Sequence, residues 1–142
     1  MPQHANRLGT AFGGAIMSWI DICGAVVTQR HSGRIGVTAF VDDLEFRAPA
    51  VVGDVVRLTG RINAAFTSSM EVQVVVERED PWTRERTLCA DALLTFVNLS
   101  DDGTPSPVPP LALETEDDRR RAEAATARRQ ERKARARGLQ HG

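Results

Sequence analysis

From Phe12 to about Gln29 the apolar residues Phe12, Ile16, Met17, Ile20, Cys23, Val26 and Val27 recur at three- and four-residue steps, with Trp19, Ile22 and Ala25 filling other faces. The spacing is that of an α-helix, and a helix with no polar face has to be buried nearly all round. A chain of 142 residues holds one domain with its own core, so the cover must come from the rest of that domain. Thr10 or the preceding Gly9 is placed to begin the helix and Gly33 to stop it, with Arg30 and His31 complementing the negative end of its dipole.

After Gly33 the hydrophobic period changes from near four to two, the signature of strands. Val37, Ala39 and Val41 alternate first, then Leu44 and Phe46 continue in the other phase, so Asp42 and Asp43 mark a bulge or bend. A second strand turns Val56, Leu58, Gly60, Ile62, Ala64 and Phe66 inward, and a third does the same with Met70, Val72, Val74 and Val76. The segment REDPWTRER reads as a turn, and Leu88, Ala90, Ala92, Leu94 and Phe96 form the inward set of a fourth strand. One long apolar helix followed by at least four antiparallel strands predicts an α+β fold, a curved sheet wrapped around the helix. NLSDDGTPSPVPP then reads as a linker or a packed extended arm.

Residues 1–110 are thus expected to form the domain and 111–142 a charged helical tail. Residues 119 to 137 carry nine Arg or Lys against only Glu123 and Glu131, behind an acidic start at ETEDD, which matches a helix macrodipole. A solvated, exposed helix is the plainer reading, and an arm that grips nucleic acid the rival. Cys23 and Cys89, with no CxxC and no Cys/His cluster, read as free buried thiols in a reducing compartment, with no metal site expected. MPQHANRLGT is not a secretory signal and no apolar run approaches ~18 residues, so a cytoplasmic protein without a membrane anchor is expected.

The strings HANRLGTAFGGAIMSWIDICGAVV, VDDLEFRAPAVVGDVV and TSSMEVQVVVE resemble the hotdog-fold acyl-CoA thioesterases, in the branch of bacterial short-chain acyl-CoA thioesterases and brain-type acyl-CoA hydrolases. The resemblance runs from about Pro2 to Pro110. It is specific as a combination, an AN…G…FGG…M…D order with a later F-x-x-P-x-x-x-G-D. It implies a hotdog fold with five or six strands around the central helix. It further implies acyl-CoA as substrate, no cofactor beyond the coenzyme A of that substrate, and a homodimer, often assembled as a trimer of dimers. Family members carry a strand before the AN segment, where only the first few residues stand here, so a truncated start is expected. The charged tail carries no family motif.

Within that frame Asp21 is the principal candidate. A carboxylate among Met17, Ile20, Cys23 and Gly24 is costly to bury ionised unless a cation or hydrogen bonds compensate it. It is assigned as the general base that activates water against a thioester carbonyl, with direct nucleophilic attack as the second mechanism. The bland alternative is an ion pair with Arg57 or Arg61. Gly13 and Gly14 are expected to let a carbonyl approach unpaired amides at the helix start, an oxyanion hole, or else to allow tight packing. Asn6, by itself a cap or turn residue, is implied by the resemblance to act with the Asp21 of a partner subunit. Arg47 and Ser68, then Thr67, Ser69, Arg30 and Arg34, are candidates for the coenzyme A phosphates. Two rivals stand beside the hydrolase. One is an acyl-CoA-binding module without catalysis whose basic tail meets a polyanion. The other is an enoyl-CoA hydratase pairing Asp21 with a histidine, for which His31, ~15 Å away along the helix, is too far and His4 stays open.

Overall fold

The computed structural model describes residues 9–141 apart from position 52. Helix α1 (Gly9–Ser32) begins at the expected glycine and ends where Gly33, at φ 72°, donates its amide to the Gln29 carbonyl at 2.8 Å. That left-handed residue after the last turn is the ordinary glycine stop. Strands β1 (Gly36–Phe46), β2 (Val55–Ala65), β3 (Ser69–Glu79) and β4 (Arg86–Asn98) form an antiparallel sheet in the order β1-β4-β3-β2. Helix α2 (Glu116–His141) closes the chain. Among the described residues no helix is long and apolar enough to cross a membrane.

The core lies between α1 and one face of the sheet. Met70, Val72, Val74 and Val76 are fully buried, joined by Ala90, Ala92, Leu94 and Phe96 of β4 and by Ile16 and Ile20 of α1. Two glycines let the helix lie this low. A Cβ on Gly24 would stand 2.6 Å from Cε1 of Phe96, and a Cβ on Gly60 would stand 2.6 Å from Cγ2 of Val27 and 3.0 Å from Sγ of Cys23. Both cysteines are free; burial pushes the Cys23 and Cys89 thiols up.

The expectation of a helix buried all round needs correction. Ile16, Ile20, Gly24 and Thr28, at four-residue steps, face the sheet and are buried, but Met17, Ile22 and Val26 remain 46%, 60% and 43% exposed. Four strands on one side cover one stripe of α1 and leave its other apolar half open.

Strand β1 departs from simple alternation twice. Its register against β4 slips between Thr38 and Phe40 and again between Val41 and Asp43, leaving Ala39 and Asp42 as the extra residues. The second slip is the bulge read from the Asp42–Asp43 pair; the first had no sequence signal. Each bulge turns the following residues to the opposite face. With one bulge between them, Val41 shares the α1 side with Leu94 while Val37 stands on the other face, and both, expected in the core, are exposed on this outer strand. The proline-rich segment is a packed arm: Ser106 N donates to the Asn98 carbonyl, Val108 N to that of Thr67, and His31 Nε2 lies 2.8 Å from the Pro109 carbonyl.

Helix α2 starts at a capping box, in which Asp118 N donates to Thr115 Oγ1 and Thr115 N donates back to Asp118 Oδ2, each at 3.0 Å. These bonds hold the Asp118 carboxyl below its ordinary range, and Arg121 does the same to Asp117. The tail is not the solvated helix expected. It lies on the face of the sheet opposite α1, where alternation places Arg61, Glu71 and Gln73. Arg128 clasps Glu71 through Nε and Nη2 at 2.8 Å each, while Asn63 Nδ2 donates to the same carboxylate at 3.0 Å. Glu71 and Asn63 are 2% and 3% exposed, so α2 roofs a polar layer that period-two patterning assigns to solvent.

Two outcomes follow from this packing. Gly24→Ala drives a methyl into the Phe96 ring and is expected to cost about 1–3 kcal/mol in urea unfolding. Arg128→Met strands a buried carboxylate and is expected to cost about 3 kcal/mol, much of it recovered when Glu71→Gln is added.

Candidate active site

Helix α1 runs along β1 in the opposite sense. Gly13 stands by Phe46, where a Cβ would lie 3.7 Å from Cζ, and Thr28 stands by Gly36, where a Cβ would lie 3.3 Å from Oγ1. Between these crossings Asp21 meets Thr38, whose hydroxyl donates to Asp21 Oδ1. The bulge at Ala39 makes the meeting possible, because it lets Thr38 face α1 while Phe40, two residues on, faces α2.

Beside this pair a cleft of about 530 Å³ opens between α1 and β1, walled by Gly14, Met17 and Ile22 and by Val41 and Leu44, with Ala92 and Leu94 of β4 at its floor. Asp21 is part of its lining. The cleft is apolar apart from Asp21 and Ser18, the composition of a site for an acyl chain with one polar centre.

Asp21 is exposed in the single chain, against the expectation of a carboxylate buried in the helix's surroundings. Neither arginine offered as its bland partner reaches it: Arg61 pairs with Asp117 and Asp118, and Arg57 lies 4.0 Å from Glu79. Gly14 lines the cleft, but the helix begins at Gly9, so Gly13 and Gly14 sit in its second turn. There each amide faces the carbonyl four residues back, and unpaired amides belong to residues 9–11 instead. Asn6 lies outside the described residues.

The phosphate candidates are not brought together. Arg47, past the far end of β1, is paired with Glu45 at 2.7 Å and Asp91 at 2.8 Å, which raises its already high pKa. Thr67, Ser68 and Ser69 form the β2–β3 turn at the other end of the sheet, where the Ser68 carbonyl accepts from Asn98 N. Arg34 pairs with Asp101 at 3.2 Å. His31 is tied to Pro109 and not to Asp21; His4 lies outside the described residues. Thr38 is the residue that sequence reasoning passed over. Its signal was a hydroxyl in the outward phase of the first strand, where Val37 and Ala39 drew attention.

Residues 8–83 match the Thioesterase superfamily. The Bacillus subtilis protein named uncharacterized acyl-CoA thioester hydrolase YkhA is 41% identical over 98% of this chain and 81% of its own length. The mouse cytosolic acyl coenzyme A thioester hydrolase is 34% identical over 96% of this chain, which spans 36% of that longer protein. Among solved structures, a hexameric acyl-CoA thioesterase without ligand superposes with a TM-score of 0.87 at 39% identity, covering 96% of this chain and 87% of that one. A Staphylococcus aureus acyl-CoA hydrolase bound to butyryl coenzyme A and coenzyme A superposes with a TM-score of 0.80 at 35% identity, covering 92% and 79%. That hydrolase has also been solved with alanine replacing an asparagine, an aspartate or a threonine, which follow one another at intervals of 15 and 17 residues. The chain belongs to the Thioesterase superfamily, among its hotdog-fold acyl-CoA thioester hydrolases.

Proposed function

We propose that this chain hydrolyses acyl-CoA to a free carboxylic acid and coenzyme A, with Asp21 as general base and Thr38 as the group that orients it. The observation that carries the reading is the Thr38–Asp21 hydrogen bond at the mouth of an apolar cleft. With Oδ1 held by Thr38, Oδ2 is free to take a proton from water as the water oxygen bonds to the thioester carbonyl carbon. The C–S bond then breaks and the thiolate leaves, taking up a proton. Attack by Asp21 itself, giving a mixed anhydride, is the second route through the same carboxylate.

Asn6, Asp21 and Thr38 stand 15 and 17 residues apart, the intervals of the three residues replaced in the Staphylococcus enzyme. This supports reading them as one set. The amides of residues 9–11 supply donors for the developing oxyanion, and Gly14 leaves room for the carbonyl. Arg47, Ser68, Thr67 and Ser69 are retained only as candidates for the coenzyme A end of the substrate. No cofactor beyond the substrate's own coenzyme A enters the scheme.

The exposed apolar half of α1, with Ile35, Val37 and Val41 beside it, is the surface expected where copies of the chain meet. We read it as a homodimer, built into a trimer of dimers, with Asn6 of one subunit completing the site of its partner. Residues 1–110 form the catalytic domain in this reading, and the protein is cytoplasmic. A polyanion-binding tail is disfavoured because Arg121, Arg128 and Arg132 are already engaged by the sheet.

The test is thiol release from a panel of acyl-CoAs. Asp21→Asn is expected to lose turnover by about 10²–10⁴-fold with the fold intact. Thr38→Val is expected to lower kcat by roughly tenfold, with Thr38→Ser restoring most of it. Full activity in Asp21→Asn would refute the assignment. Binding of acyl-CoA without turnover by the wild type would instead favour the acyl-CoA-binding module.

A further inference from the structure

We infer that Arg132, on the sheet-facing side of the tail helix, is a positioning residue for the Asp21–Thr38 pair, acting through the doubly bulged segment of β1. The inference rests on the hydrolytic reading above and gives the tail a part in it.

Among the described residues β1 is an outer strand of the sheet, paired with β4. Between Thr38 and Asp43 it carries both bulges, and at each one the ladder loses a pairing. Thr38 opens this interrupted stretch and Val41, inside it, walls the cleft. The bulges turn Phe40 and Asp42 away from the cleft, towards α2. Both side chains meet one guanidinium there: Arg132 Nη1 lies 2.6 Å from Asp42 Oδ1, and its central carbon lies 4.7 Å from the centre of the Phe40 ring.

Thr95 of β4 completes the clamp by donating to the other oxygen of Asp42 at 2.7 Å. The Arg132 and Asp42 side chains are 22% and 11% exposed, so water does little to weaken the pair. A planar cation that stacks on the ring and bonds the carboxylate fixes the segment on both sides of Val41. Arg121 holds α2 without reaching the bulges, since it bonds Gln73 of β3, whereas Arg128, on Glu71 of β3, also feels the charge of Asp42. Losing Arg121 loosens the helix and leaves the bulges alone.

The experiment compares the full chain with Arg132→Gln, Arg132→Lys and Arg121→Gln, using butyryl-CoA as probe and reading kcat, KM, melting temperature and amide hydrogen exchange. Arg132→Gln is expected to lower kcat by about three- to thirtyfold with KM within about twofold, since a misplaced reacting group costs rate before affinity. Amides 38–43 are expected to exchange faster in it, and Arg132→Lys to recover part of the rate. Arg121→Gln is expected to keep kcat within about twofold whatever its melting temperature. Unchanged kcat or unchanged exchange in Arg132→Gln overturns the inference. So does a fall in kcat that tracks melting temperature in both arginine variants. An inactive wild type, or an Asp21→Asn variant as active as the wild type, overturns the hydrolytic reading itself and the inference with it, an outcome told apart because it appears without any change at Arg132.

Discussion

The approach of α1 to the sheet sets the geometry of everything around it. Where Gly24 faces Phe96 and Gly60 faces Val27 and Cys23, there is no space for a Cβ on either side, so helix and strands meet at a depth that only glycine permits. That depth places Ile16 and Ile20 among the valines of β3. It also brings Asp21, between those contacts, within reach of a hydroxyl on β1. The dense contacts are apolar, and the polar pair beside them inherits its distance from a packing it takes no part in.

The two faces of the sheet solve different problems. Towards α1 the residues are valine, alanine and phenylalanine, and burial needs no pairing. Towards α2 the same strands present Asn63, Glu71 and Thr95, which can be buried only when every charge and most donors find partners. The arginines of α2 meet that demand one by one. Among its described residues the helix buries only Ala125 fully and has little apolar surface with which to hold itself in place.

Much of this was legible in the sequence, and the failures have physical causes. The helix, its glycine stop, the inward set of β3 and most of those of β2 and β4 follow from periodicity, because a residue's environment there repeats along the element; in β2 a bulge at Asn63 turns Ala64 and Phe66, read as inward, to the face of α2. The resemblance carried the fold class and Asp21. Thr38 was missed because a bulge at Ala39 breaks the alternation that would have assigned its direction, and bulges are set by pairing with a distant strand. The docking of the tail was missed for a related reason. Its basic residues look solvated unless one knows that a buried carboxylate waits opposite each of several of them. The free amides are not at Gly13 and Gly14 because a helix begun at Gly9, the start the sequence indicated, already pairs the amides of its second turn.

The cap and arginine contacts of α2 also bear on the order in which the chain acquires its structure. A helix this polar and alanine-rich has few tertiary contacts of its own to stabilise it and gains them only from a sheet already formed. It also leaves the ribosome after every strand on which it docks. Until it docks, Glu71 and Asp42 stay hydrated on an open face, and the sheet carries their charge without having to bury it. The tail therefore acts as the closing step of folding. Its carboxylates are desolvated only when the cations that compensate them arrive, so the chain never passes through a state in which a charge is buried alone.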